Sequence, residues 1–426
     1  MTGIILVCIL FLIFGKFLYI FCDPPPGHLK PIGHHRKPVG GVTILDDFPS
    51  PVDFYENYLT KSQPFVVKGI LEKGEFPAYK LWTDKYLSDK YGSINVDVEG
   101  GKKEDRGANQ YVMPMSKFLQ IYNQSNIYMV HDVAKEMNDD VTIPISIQCG
   151  GMQNVIRSVI VWFSSGGTKS VLHNDGLDNF NCLLDGRKDL VMFHKKYKKE
   201  IEADHFIKRG AYSMVDVEAV DMEKFPKLAD LPWYMVNMTK GDCLYIPFQW
   251  YHHVYSHPGR NLAVNVWSHH LRWFNKTECQ ALEKSLKPKA LKYFEYTEDQ
   301  GIRELFMDII FDEMDNISRT EFFNEMKKYL IPDVDGEIIM VIFELIDQDK
   351  DDNLTLYELH VCNYQAMLEE LADFEALFDM SKYQSPDDTP KQYKEPEFID
   401  VNDDVTFLMN PPNQVDNRSG SDKDEL

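Results

Sequence analysis

His173-Asn174-Asp175 sets an imidazole and a carboxylate two positions apart. On extended backbone, residues i and i+2 project to the same side. Such a pair holds one divalent metal if a third ligand arrives from elsewhere. The candidate source is Gly241-Asp242-Cys243-Leu244-Tyr245-Ile246-Pro247-Phe248-Gln249-Trp250-Tyr251-His252-His253-Val254, where either His252 or His253 could complete the set. Two imidazoles and one carboxylate on one face leave coordination positions open, the arrangement of non-haem Fe(II) oxygenases. Those positions can take a bidentate 2-oxo acid and O2. The His-x-Asp pair alone is a weak signal, so its surroundings must carry the weight.

A second cluster runs Asp347-Gln348-Asp349-Lys350-Asp351-Asp352-Asn353-Leu354-Thr355-Leu356-Tyr357-Glu358. It has the spacing of an EF-hand calcium loop. Asp347, Asp349 and Asp351 fall at positions 1, 3 and 5, Asn353 supplies a carbonyl, Thr355 holds position 9 and Glu358 is the bidentate ligand. Position 6 is Asp352, where Gly normally makes a turn with positive φ; Asp tolerates that conformation better than most residues. EF-hands pair through position 8. Ile317 lies 37 residues before Leu354, and aligning on it puts Ile310, with no ligand atom, at position 1. That partner hand reads as degenerate.

Different elements must position the two clusters. From about 143 to 270, short β-branched and aromatic runs alternate with Gly, Asn and Asp turns, which predicts an all-β barrel or sandwich. Upstream, 51–60 and 81–91 read as helices and Phe65-Val66-Val67 as a strand. Gly100 to Gly107 reads as a polar loop. From 276 to about 379 the pattern is helical. Residues 23–42 are rich in Pro, Gly and His and read as a linker. Residues 384–426 hold 11 acidic and 4 basic side chains with five prolines and read as a disordered tail.

The β region resembles the JmjC family of Fe(II)/2-oxoglutarate oxygenases, in particular the small cupin-like hydroxylases. The resemblance covers roughly 43–270. It is carried by Phe54-Tyr55, by Pro64 to Gly69, by Trp82-Thr83-Asp84, by the His-x-Asp strand, by the Gly241–His253 turn and by Asn265-Val266-Trp267. It implies a double-stranded β-helix (jelly-roll or cupin) domain over 43–275; the loop spacing and the helical pattern add an α-helical EF-hand-pair domain over 276–383. It also implies His173, Asp175 and His252 as iron ligands, preferring His252 over His253. Lys188, fifteen residues after His173, falls where such a hydroxylase pairs a lysine with the distal carboxylate of 2-oxoglutarate. Ser170, Tyr128, Asn179 and Asn265 fall at co-substrate or pocket positions. Trp250 and Trp267 read as packing residues, and His257, His269 and His270 as structural or exposed. The implied reaction couples decarboxylation of 2-oxoglutarate to hydroxylation of a substrate C–H bond. The competing reading is a catalytically inactive JmjC protein serving as a lumenal calcium-binding or scaffold protein.

The ends and the charge bear on where this happens. Ile4 to Phe14, then Gly15-Lys16 and Phe17 to Phe21, form the one long apolar run, read as a signal peptide or signal anchor over 1–22. Lys423-Asp424-Glu425-Leu426 matches the endoplasmic reticulum retrieval signal, which implies a retrieval receptor as partner. If the apolar run stays in the membrane, Lys30, Arg36 and Lys37 just beyond it would favour a cytosolic body; the tail works only in the lumen and is preferred. Six sequons, at Asn123, Asn237, Asn275, Asn316, Asn353 and Asn417, fit a lumenal glycoprotein. Residues 1–274 are neutral, with 30 acidic and 30 basic side chains, so the net −22 lies wholly in 275–426. That argues against a nucleic-acid partner for the C-terminal part. The expected substrate is a secretory-pathway protein, with membrane contact only if the N-terminal run is retained. Seven cysteines without a CxxC permit one disulfide, with buried free thiols at least as well favoured.

Overall fold

The computed structural model describes residues 24–74, 76–102, 109–202, 206–207, 212–294, 302–303, 306–307, 316–331, 335–371, 377 and 396–409. The N-terminal apolar run, the sequon at Asn417 and the retrieval tetrapeptide lie outside them. Among the described residues, no helix is long and apolar enough to cross a membrane.

In chain order the strands are β1 (Thr43–Leu45), β2 (Phe65–Val67), β3 (Asn95–Gly100), β4 (Gln110–Pro114), β5 (Ile127–Asp132), β6 (Thr142–Ile143), β7 (Ile156–Ser164), β8 (Asp178–Asp185), β9 (Arg187–Phe193), β10 (Phe206–Ile207), β11 (Tyr212–Ser213), β12 (Tyr234–Thr239), β13 (Cys243–Ile246), β14 (Tyr251–Ser256), β15 (Asn261–Ser268), β16 (Lys289–Ala290), β17 (Asn316–Ser318), β18 (Asn353–Thr355) and β19 (Glu397–Phe398). A large mixed sheet runs β1-β2-β13-β8-β15-β7-β5-β3-β4-β19, and a smaller sheet runs β12-β9-β14. Two sheets in this arrangement are consistent with a cupin or jelly-roll domain.

Strand alternation sorts the core. On β8, Phe180, Cys182 and Leu184 join the outer apolar cluster with Phe54, Phe65 and Tyr245. Leu183 instead joins an inner cluster with Leu190, Met192, Val236, Leu244 and Trp250 between the two sheets. The expected helix at 51–60 forms as Pro51–Phe54 and Tyr55–Leu59, with Ser50 accepting a hydrogen bond from the Asp53 N–H as cap and Pro in the first turn. The expected 81–91 helix splits into Pro77–Leu81 and Asp84–Tyr91, because Thr83 caps the second piece.

Three expectations need correction. The 23–42 segment is not a free linker over its described part. Leu29 and Ile32 N–H groups donate to Val220 and Val217 carbonyls, and the Trp233 indole donates to the Arg36 carbonyl. The acidic tail is not uniformly disordered: β19 pairs in parallel with β4, Ile399, Val405 and Leu408 are buried, and the buried Lys117 ammonium donates to the carbonyls of Val401 and Asp403. Among the described residues, the cysteines form two disulfides, Cys149–Cys279 and Cys182–Cys243, leaving Cys362 buried and free. Cys182 and Cys243 face each other across the β8–β13 ladder, a proximity invisible without the register.

Downstream, β17 pairs antiparallel with β18, with Ile317 opposite Leu354 as the loop alignment expects. Helices Arg319–Met326, Glu337–Ile346 and Leu356–Val361 surround this short ladder. Phe322, Ile342, Phe343, Ile346 and Leu359 close a separate core over it. Residue 310 and the rest of the degenerate loop before Asn316 lie outside the described residues.

Candidate metal centre and co-substrate cavity

His173 and His252 lie opposite each other, and each backbone N–H donates to the other's carbonyl, at 3.0 and 2.7 Å. This bridge turns both side chains to one side. Asp175 follows two residues on, in the segment that leads into β8. Its carbonyl accepts from the Gln249 N–H at 2.9 Å, and Gln249 itself adopts a φ of 62°. The turn before β14 is thereby tied to the carboxylate it must face. His173 Nε2 lies 3.8 Å from one Asp175 oxygen and His252 Nε2 lies 3.5 Å from the other. All three ligand atoms fall within 4.8 Å of one another.

The tautomers follow from the backbone. His173 Nδ1 lies 2.8 Å from the Val171 carbonyl, and His252 Nδ1 lies 2.9 Å from the Trp250 carbonyl. A carbonyl only accepts, so each Nδ1 carries the proton and each lone pair sits on Nε2, turned toward Asp175. Anchoring the second nitrogen of a ligating histidine is what metal sites require. Burial, reinforced by His173, lowers the His252 pKa to about 4, which keeps it neutral at physiological pH. These residues fit a divalent metal of the iron type. His253, next on the strand, projects to the opposite face, and the alternative left open by sequence resolves to His252.

A cavity of about 350 Å³ leads from the triad into the space between the sheets. Lys188, Ser170, Tyr128, Asn179 and Asn265 all line it. Lys188 is buried and donates to Ser256 Oγ at 2.8 Å, and burial lowers its pKa to about 8, with no acidic group among the described residues to offset it. An ammonium in that position calls for an anionic ligand. Ser170 Oγ accepts from the Val254 N–H at 2.7 Å, leaving its own hydroxyl proton to donate. Tyr128 stacks on Trp162, with ring centroids 6.0 Å apart. Asn265 Nδ2 donates to Asn179 Oδ1 at 3.1 Å, while Asn265 Oδ1 is buried without a partner.

Several wall residues escaped sequence reasoning: Trp162, Asn181, Ser256 and Asn261. Period-two spacing from Asn179 and Asn265 is the signal that would have found Asn181 and Asn261. Trp267, expected as packing, also lines the cavity. Trp250 is packing as expected, its indole donating to Ser62. Asp178 was missed as well. Its buried carboxylate accepts from Tyr245 Oη at 2.6 Å and the Phe248 N–H at 2.9 Å, and meets His270 Nδ1 at 2.8 Å. Burial works to raise its pKa, but the His270 charge and these hydrogen bonds outweigh it and hold the group below the usual carboxylate range. It pins the turn that delivers His252.

In the downstream loop, ligand atoms of Asp347, Asp349 and Asp351 also fall within 4.8 Å of one another. Asp352 takes a φ of 64° at position 6. Its carbonyl accepts from the Arg319 N–H, and its carboxylate lies 2.7 Å from Arg319 Nε, tying the loop to the start of the Arg319–Met326 helix. Glu358 Oε1 accepts from the Gln348 N–H at 3.0 Å, and Oε2 accepts from the Thr355 N–H at 3.0 Å and its hydroxyl at 2.9 Å. The Asn353 side chain donates to the Asp351 carbonyl, so Thr355 and Asn353 are both held within the loop.

Residues 51–272 match the cupin-like domain family, and the chain belongs to it. Similar proteins include Lysine-specific demethylase 8 of Xenopus tropicalis, 28% identical over 216 residues, covering 48% of this chain and 48% of that protein. Lysine-specific demethylase JMJ30 of Arabidopsis thaliana is 28% identical over 237 residues, 53% of each chain. The human Bifunctional peptidase and (3S)-lysyl hydroxylase JMJD7 is 22% identical over 268 residues, 53% of this chain and 83% of that one. The chain thus spans about half the length of the two demethylases. JmjC homologues are Fe(II)- and 2-oxoglutarate-dependent oxygenases.

Proposed function

We propose that this protein is an Fe(II)- and 2-oxoglutarate-dependent oxygenase that hydroxylates a protein side chain in the endoplasmic reticulum lumen. The observation that carries this reading is a single cavity with a His-Asp-His triad at one end and a charge-unmatched lysine at the other. His173, Asp175 and His252 would hold the iron on one face and leave the opposite face to ligands. Iron with a chelated 2-oxo acid supplies the oxidising power to hydroxylate an unactivated C–H bond. Lys188, with Ser170 and Tyr128, binds the distal carboxylate. The Asn265–Asn179 pair sits at the metal end, where it orients the 2-oxo head. The two sheets keep bulk water from this chemistry.

The two disulfides support an oxidising compartment, as do the retrieval tetrapeptide and the sequons. A retrieval receptor is then one partner and a secretory-pathway protein the substrate. Hydroxylation rather than chromatin demethylation follows from that address. The Asp347–Glu358 loop binds calcium in this reading. Its support is the positive φ at Asp352, the Ile317–Leu354 pairing and the three converging aspartates. Calcium would draw on Asp347, Asp349, Asp351, Thr355, Glu358 and the Asn353 carbonyl.

Succinate formation from 2-oxoglutarate by the iron-loaded full chain tests the oxygenase reading. Turnover by wild type, abolished in His173→Ala and Asp175→Ala, is the expected result. No succinate above the level of the two variants would make the chain an inactive scaffold instead.

A further inference from the structure

β8 runs from Asp178 to Asp185, and the Gly186 turn leads from it into β9 and Lys188; the triad, this strand and Lys188 all contribute to the same cavity. Asn179 and Asn181 both line the cavity from this strand. The Asn179 amide is engaged by Asn265. Asn181 is different. It lies opposite Asn265 on β15 and Leu244 on β13, and it is only 6% exposed. Its Oδ1 is buried with no hydrogen-bond partner, and no side-chain hydrogen bond of this residue exists among the described residues.

A buried amide oxygen with no bond made is destabilising, and native proteins leave few such groups without a ligand or water to complete the amide. An apolar side chain would serve this wall position at no such penalty, as Leu183 and Leu244 do beside it. The position also matters. Midway along β8, Asn181 faces the span between the metal end and Lys188. A 2-oxo diacid lying between those two anchors passes this amide. The dianion offers only acceptors, and the Asn181 NH2, which makes no hydrogen bond, is not sealed off as its Oδ1 is, so it is the donor left open to the cavity.

We infer that Asn181 is a further co-substrate-positioning residue, whose amide donates to the bound 2-oxo diacid between its two anchored ends. This rests on the oxygenase reading above. The test is calorimetric titration of 2-oxoglutarate into the Mn(II)-loaded full chain without O2, for wild type, Asn181→Leu and Asn181→Ser. The expected result is a Kd for 2-oxoglutarate about tenfold higher in both variants, equivalent to about 1.4 kcal/mol. Mn(II) affinity should be unchanged, and metal-free Asn181→Leu should resist urea at least as well as wild type, a combination that loss of packing would not produce. A Kd within twofold of wild type in the variants would overturn the assignment and leave the amide to a bridging water. If Asn181→Leu does not fold, Asn181→Ser decides alone. A wild-type chain that takes up no 2-oxoglutarate overturns the oxygenase reading itself.

Discussion

Replacing Lys188 by Met should make the ligand-free protein more stable and the co-substrate complex weaker. Burial lowers the folded Lys188 pKa from 10.5 to about 8, which corresponds to about 3 kcal/mol against the charged form. At pH 7 the ammonium is charged in both folded and unfolded chains, so the folded state bears that penalty in full. Losing the Ser256 hydrogen bond returns about 1.5–3 kcal/mol, leaving a net gain for Lys188→Met of up to about 1.5 kcal/mol. The sign with pH follows from proton counting. Between about pH 8 and 10.5 the unfolded lysine keeps a proton that the folded one has released, so wild-type stability rises through that window. The advantage of the variant should therefore shrink by pH 10. Removing one partner of a buried charge pair costs about 2–5 kcal/mol, so 2-oxoglutarate affinity should fall at least about thirtyfold. Urea denaturation at pH 7 and pH 10, with calorimetric titration of 2-oxoglutarate, reads all three effects. A variant that is clearly less stable at pH 7, or that binds 2-oxoglutarate as wild type does, would refute the reasoning.

Three further outcomes are expected. Asp178→Asn should cost about 1–3 kcal/mol in urea denaturation, because the neutral amide cannot accept from Tyr245, Phe248 and His270 together. It should also weaken Mn(II) binding, because the turn carrying His252 loosens. Calcium at a hundredfold excess over its Kd should stabilise the helical domain by about 2.7 kcal/mol, and Glu358→Gln should remove most of that in a thermal-shift titration. The Cys149→Ser, Cys279→Ser double variant opens a link spanning 130 residues and should lose about 2–5 kcal/mol, measured against wild type under non-reducing conditions.

The convergence of side chains in both clusters was legible because strand and loop spacings are rigid. His-x-Asp fixes two side chains to one face, and the position-8 rule put Ile317 opposite Leu354, where the structure has it. Choosing His252 over His253 needed the family resemblance or the His173 bridge, since adjacent histidines look alike until a strand register decides which face is inward. Asn181 and Asn261 share that difficulty: alternation gives a face, and closure of the two sheets makes it an interior. The disulfides depend on contacts 61 and 130 residues apart, which carry no local pattern. The 24–40 segment is held chiefly by backbone bonds, which composition does not record. In the C-terminal segment, Ile399, Val405 and Leu408 are buried but diluted among acids, so the average composition concealed an ordered stretch. Asp352 gained a physical reason that spacing did not offer, its tie to Arg319.

The most direct measurement is a crystal structure of the full chain grown without O2 in Mn(II) and 2-oxoglutarate, with anomalous scattering recorded for the metal. The expected density places one metal on Nε2 of His173, Nε2 of His252 and the Asp175 carboxylate, with the distal carboxylate of 2-oxoglutarate on the Lys188 ammonium. Metal density away from these three residues, or a diacid whose distal end lies remote from Lys188, would contradict the account.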